Sequence, residues 1–519
     1  MKPNFIWVCL VITGFNVSLP NLLAQVKLPA IFCNSMVLQQ KSDAPIWGWA
    51  DPGEQIQIQA SWLKNSISEQ ADNHGKWKTT LQTPSAGGHY SIIIKGQNEI
   101  ILSDVLIGEV WICSGQSNME VSLEWLGDEI NKKEIEQANN PLIRIFDINN
   151  NYAASEQQDC QGSWPTWRPV NSETVKSFSA VGYYFGKNLQ KELNVPIGLI
   201  SSNWGGTPAE GWIDLDTIRK FEALREAANI LTVTRKDSQR PEDIINRNFT
   251  EWFAKVTAQD QGIKNKWFNK ELIDANWQNI NQPVSWSNTA LKGFDGTIWF
   301  RKDFIFATDA NIQESTLYLG GIDDIDSVWV NGNFVGTTYS RAVNRMYKIP
   351  AAFMNKDRNI IAVRVIDAGG EGGFLGKEKD LRIEMTPEIS LSLAGQWKYK
   401  ISREGIDWPK PIFTSFGPTF PSTLYNGMIS PIIPFKIAGV IWYQGENNVR
   451  FPIEYRSLFP ALIQNWRTRW GQGDFPFYYV QIAPWQYNNN LCSQAIREAQ
   501  MMSLSVPSTG MVVTMDIGA

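Results

Sequence analysis

The sequence predicts an α/β protein: a parallel sheet with helices on both faces, preceded by a small β-sandwich and interrupted by a second, jelly-roll-like β-sandwich. Three observations carry this. Short segments of period-two alternation fill the chain to about Asp104; buried-strand runs then alternate with helical stretches from Val105; period-two alternation returns between residues 262 and 400. Strands alternating with helices build parallel sheets, whereas closely spaced period-two strands separated by turn residues build antiparallel ones. At 519 residues the chain exceeds what a single core holds, so several domains are expected.

Residues 1–24 read as a secretory signal peptide: Lys2 gives a positive start, Phe5 to Leu19 is mostly apolar, and Ala24 offers a small residue for cleavage. The apolar part is too short and too interrupted for a stable membrane span, so export to a periplasm or the cell exterior is expected. Residues 25–104 form the leading sandwich, with Ala44–Ala50 and Gln55–Ala60 alternating and Asp72-Asn-His-Gly75 as a turn. Residues 105–261 begin the α/β domain. Val105–Cys113 is a buried strand, Met119 to about Ala138 a helix, Phe178–Leu193 a second amphipathic helix, and Asn194–Ser202 a short strand. Residues 262–400 form the inserted sandwich, where Asn331-Gly332 sits at a hairpin turn between Ser327–Val330 and Asn333–Gly336. Residues 401–519 resume the α/β domain, with helix and strand alternation returning near Ile437.

Composition narrows the function. A net charge of -5 with no basic run or stripe argues against a nucleic-acid partner. The 23 tryptophans suit either sugar stacking, where exposed, or packing in β-rich cores. Cys9 would leave with the signal, and the wide spacing of Cys33, Cys113, Cys160 and Cys492 resembles no zinc ribbon. A disulfide and buried free thiols both stay open. No metal or other cofactor is expected, and the oligomeric state is not legible.

Three strands of the α/β part run into polar, glycine-bearing loops: Ser114-Gly-Gln-Ser-Asn-Met119, Asn203-Trp-Gly-Gly-Thr-Pro-Ala-Glu-Gly-Trp212 and Gln444-Gly-Glu-Asn-Asn448. In a parallel sheet such loops share one edge. Ser117, at a strand-to-helix turn, is placed as a nucleophile beside the positive end of a helix. Gly205 and Gly206 offer backbone N–H groups at close range, and Gln444 and Asn447 offer side-chain amides for an oxyanion. Gln116 and Asn118 flank the serine as supporting residues. Glu446 is a general base on one reading and a tie for its own loop on another. His74 and His89, the only histidines, both precede Ser117 and read as loop residues.

These loops resemble those of the SGNH (GDSL-like) hydrolases, in particular the sialate O-acetylesterase branch. The resemblance rests on Gly115-Gln-Ser-Asn-Met119, Gly205-Gly-Thr-Pro-Ala-Glu210, Trp442-Tyr-Gln-Gly-Glu-Asn-Asn448 and Arg497-Glu-Ala-Gln500, and extends from about Leu28 to the last residue. It implies an exported carboxylesterase that removes O-acetyl groups from sugars or glycans with a serine nucleophile and no metal. Ser117 would be that nucleophile. The oxyanion hole would be the Ser117 N–H, Gly206 and an amide of Gln444 or Asn447, with Gln444 preferred. The resemblance also implies a histidine base in an Asp-x-His-Pro loop after the last strand. Gly510–Met515 looks like that strand, and the printed sequence ends at Ala519 without the histidine, as in a C-terminally incomplete enzyme. The insert resembles the galactose-binding-like jelly roll of β-galactosidase-type glycosidases. Three alternatives follow: an esterase for acetylated xylan or other plant polysaccharide, a non-catalytic carbohydrate-binding protein, and an enzyme whose base is His74 or His89.

Overall fold

A single strand, Glu99–Gly115, organises the larger part of the molecule. The computed structural model describes residues 25–305, 313–340, 343–386, 389–406, 415–485 and 493–516; the signal-peptide segment and Cys492 lie outside the described residues. The early part of this strand pairs antiparallel with Gly87–Lys95, and Val37–Gln39 runs parallel alongside Leu106–Gly108. Its later part lies between two parallel neighbours, Ile197–Asn203 and Gly439–Tyr443. The division expected between residues 104 and 105 therefore falls inside one continuous strand. Alternation gives way there to a run of buried residues, because the strand passes into a sheet covered on both faces.

Across this sheet the order is Thr509–Val512, Phe477–Val480, Gly439–Tyr443, Glu99–Gly115, Ile197–Asn203, Asn139–Asp147 and Arg168–Asn171. All of these run parallel except the last, an antiparallel edge strand. Helices cover both faces. Ala180–Leu193 packs Phe185 against Trp111, ring centroids 4.9 Å apart, over a core that includes Cys113, Leu199, Ile441 and Tyr443. Trp442 alternates to the opposite face. There it meets Phe459 and Trp466 of the helix Pro452–Trp470, at 6.4 and 5.8 Å. The α/β class expected from the sequence is the class observed.

The single helix expected from Met119 to Ala138 is three short ones: Ser117–Glu120, Leu123–Leu126 and Glu129–Gln137. Val121 turns extended, and the Ser122 side chain accepts from the Trp125 N–H. Gly127 is left-handed, and Asp128 accepts from the Ile130 and Asn131 N–H groups. Two N-cap residues and a C-terminal glycine inside one stretch outcompete a continuous helix.

The chain forms two compact units, residues 1–241 with 415–519, and Glu242–Thr414. The second unit holds a six-stranded and a four-stranded antiparallel sheet. Phe300 and Val363 from the first share a core with Leu317 and Ile383 from the second. The expected hairpin is present: Ile325–Val330 pairs with Asn333–Thr338, and Asn331 and Gly332 have φ of 49° and 85°, as a tight type I′ turn requires. Most of the tryptophans settle on packing, and Trp167, Trp212, Trp286, Trp299, Trp397, Trp442 and Trp466 are all fully buried.

Candidate active site

Gly115 fixes where the site begins. Its φ is +139°, and a Cβ there would stand 2.1 Å from the Tyr443 carbonyl oxygen, so no other residue fits. It ends the central strand in direct register with Asn203 on one side and Tyr443 on the other. All three glycine-bearing loops therefore leave the sheet at one level. Two further bonds extend the ladder into them: the Gln116 N–H donates to Tyr443 O at 2.9 Å, and the Trp204 N–H to Gly115 O at 3.1 Å.

Side chains then tie the loops together. The Oε1 of buried Gln116 accepts from the Gly445 and Asn447 N–H groups, both at 3.3 Å. Asn118 Nδ2 donates to Glu446 Oε1 at 2.7 Å, and Asn447 Nδ2 donates to Gly206 O at 2.9 Å. Asn448, absent from the sequence-based candidates, links the second and third loops. Its Oδ1 accepts from Ala209 N–H (3.0 Å) and Gln444 Nε2 (2.6 Å), and its Nδ2 donates to Glu210 Oε2 (2.9 Å). Glu120 was also missed; its Oε2 accepts the Gly205 N–H at 2.7 Å.

Within this frame Ser117 is exposed. Among the described residues, neither the Ser117 N–H nor the Gly206 N–H donates a hydrogen bond within the protein. The Gly205 N–H is occupied by Glu120. The two candidate amides differ sharply. Gln444 is fully buried; its Nε2 donates to Thr207 O (3.2 Å) and Asn448, and its Oε1 accepts from the Tyr455 hydroxyl at 3.1 Å. Asn447 is exposed beside Gly206. The preference for Gln444 thus does not fit this geometry, because its amide is committed to holding the loops.

Burial raises the Glu446 carboxyl above the usual carboxylate range, against the bond from Asn118; its Oε2 is buried without a partner. Glu210 is raised likewise by burial, opposed by Asn448. Neither histidine meets Ser117. His74 lies exposed in the Asp72–Gly75 turn, and His89 Nδ1 pairs with Asp104 near the far end of the central strand. Among the described residues no group of three or more His, Cys, Asp or Glu is placed to hold a metal ion. Cys33, Cys113 and Cys160 are free thiols.

The fold has a known counterpart. A carbohydrate acetylesterase from Xanthomonas citri, XAC1771, superposes with a TM-score of 0.54 at 21% identity, covering 95% of this chain and 69% of that one; the fold is shared. Residues 407–519, which include the third loop, match the family "Carbohydrate esterase, sialic acid-specific acetylesterase". The human sialate O-acetylesterase is 33% identical over 198 residues, and that of Pongo abelii 32% over 197. Each match covers 34% of this chain and 37% of the relative, so the chain spans just over a third of the length of these relatives. Over these stretches the chain is similar to the sialate O-acetylesterases, the family its loop motifs resemble.

Proposed function

We propose that the chain is a carbohydrate O-acetylesterase with Ser117 as its nucleophile. The observation that carries this is the shared register of Gly115, Asn203 and Tyr443, which delivers an exposed serine and two undonated N–H groups to one sheet edge. In this reading Ser117 Oγ attacks the acetyl carbonyl and the sugar alcohol departs. Water then releases acetate from the acyl-serine. The oxyanion is received by the Ser117 and Gly206 N–H groups and by Asn447 Nδ2, whose second proton is not used by Gly206. Gln116, Asn118, Gly205, Gln444, Glu446 and Asn448 hold the loops in place. The proton acceptor implied by the resemblance is a histidine following the Thr509–Val512 strand.

The parallel order of the central sheet supports the SGNH-hydrolase reading of the larger unit. Two antiparallel sheets sharing one core support a jelly-roll-like sandwich in the smaller one. Export follows from the signal-like composition of residues 1–24. The test is acetate release from 9-O-acetylated sialic acid and from acetylated xylan, with Ser117→Ala as control. Release that disappears in the variant supports the reading, and the better substrate names the sugar. Glycan binding without any release, even when a histidine-bearing segment follows Ala519, would instead favour a non-catalytic carbohydrate-binding protein.

A further inference from the structure

A cleft of ≈ 510 Å³ opens beside the serine loop, lined among others by Glu120, Asp147, Asn149, Trp164, Ser201 and Asn203. Two of these connect it to the site: Glu120 holds the Gly205 N–H, and Asn203 ends the strand in register with Gly115. An ester whose carbonyl lies at Ser117 therefore has room to extend its alcohol portion into this cleft.

The walls define what that portion is. Hydroxyl, amide and carboxyl groups dominate: Asn203 Nδ2 donates to Ser201 Oγ at 2.9 Å, and Ser163 Oγ to Asn149 Oδ1 at 2.8 Å. Trp164 is 47% exposed, and the Arg168 guanidinium stacks 3.9 Å from its ring centroid, which steadies the indole. No lysine or arginine lines the cleft, whereas two carboxyl side chains do. Burial pushes the Asp147 carboxyl up to about 6, opposed by a bond from Ser201 and by the charge of Arg168. A ligand carboxylate placed here meets the carboxyl side chains of Glu120 and Asp147, and the cation beside the cleft, Arg168, is engaged with Trp164 and Asp147, while neutral hydroxyls meet donors and acceptors throughout.

We infer that this cleft is a subsite for a neutral polyol, the hydroxyl-bearing carbon skeleton next to the acetyl ester, with Trp164 as its stacking platform and Asp147 as a hydrogen-bonding partner. The inference rests on the esterase reading of Ser117. Two sources share this chemistry: the ring of a neutral sugar, and the glycerol-like side chain of a sialic acid whose own carboxylate stays outside the cleft.

The test is calorimetric titration of the Ser117→Ala protein, which keeps each ester intact. The probes are 9-O-acetyl-N-acetylneuraminic acid, its carboxyl methyl ester, an O-acetylated methyl xyloside, and p-nitrophenyl acetate as an ester without a polyol. At least one sugar ester should bind, and Trp164→Ala should weaken it about tenfold while leaving p-nitrophenyl acetate unchanged. Trp164→Phe should restore part of the loss. Methylating the sialate carboxyl should change its Kd by less than about threefold. The xyloside binding more tightly assigns the neutral ring, and the sialate binding more tightly assigns the side chain. Unchanged sugar-ester affinity in Trp164→Ala, or a large loss on methylation, overturns the subsite. Intact binding with no turnover by the unsubstituted protein, even when it carries a histidine-bearing segment after Ala519, would count against the esterase reading alone.

Discussion

The two ends of the strand Glu99–Gly115 carry superficially similar polar groups and do opposite things with them. At the early end, Asp104 accepts from Arg144 Nη1 at 2.6 Å and Ser35 Oγ at 2.9 Å, and pairs with His89. Burial alone would raise this carboxyl. The bonds from Arg144, His89 and Ser35 outweigh that and hold it below the usual range. A histidine beside a carboxylate looks like part of a hydrolytic triad. Eleven residues of strand, roughly 35 Å at about 3.3 Å each, separate it from Gly115, however. At the late end no histidine stands among the described residues. Instead Ser117 is exposed and, among the described residues, the Gly206 N–H has no acceptor. A titratable pair whose bonds are all internal holds structure; groups left without internal partners at a sheet edge are available to a ligand.

The contrast can be broken most forcefully at Gly115. Gly115→Ala puts a Cβ against the Tyr443 carbonyl in a left-handed backbone, and should cost about 3 kcal/mol or more in urea unfolding. An unchanged midpoint would mean that the edge does not depend on this close approach. Asn447→Ala should lower kcat about 100-fold with the unfolding midpoint intact, as loss of one oxyanion donor does. Gln444→Ala should instead destabilise by about 2 kcal/mol, because it strips partners from Asn448, Thr207 and Tyr455. Equal behaviour of the two variants would erase the distinction between donor and scaffold.

Asp147 sharpens the comparison through pH. Its folded value, about 6, lies above that of an unfolded aspartate. The protonated form is thus favoured by folding, and the stability this contributes is present below about pH 4 and lost as pH rises through 6. From pH 4 to 7 the unsubstituted protein should lose on the order of 2 kcal/mol relative to Asp147→Asn. Parallel pH profiles would place the carboxyl in an ordinary environment. The smallest effect belongs to the other end of the strand. His89→Ala should change stability by less than about 1 kcal/mol, since the ring is largely exposed, and should leave acetate release unchanged.

Much of this edge was legible in the sequence. An apolar run ending in glycine and polar residues marks a strand end, and three such runs in a parallel sheet meet at one edge by topology. What was not legible depended on contacts between distant segments. Gln444 and Asn447 look alike as amides, and only packing beneath Tyr455 commits the first to the scaffold. The cleft joins Asp147, Trp164 and Asn203 from three separate segments, so no local pattern announces it. The broken helix after Ser117 was a different kind of miss: Ser122, Gly127 and Asp128 are capping residues in plain view, but the apolar periodicity outweighed them. The continuity of Glu99–Gly115 was hidden by a change of pattern, which reflects the strand's surroundings rather than its end.

The most direct test of the central claim is single-turnover acetate release from an acetylated chromogenic ester. It compares the chain as printed with one carrying an Asp-Ile-His-Pro segment after Ala519, each with and without Ser117→Ala. The account predicts release that requires Ser117 and is much faster when the histidine-bearing segment is present. Release that persists in Ser117→Ala, or that is absent even with the segment, would contradict it.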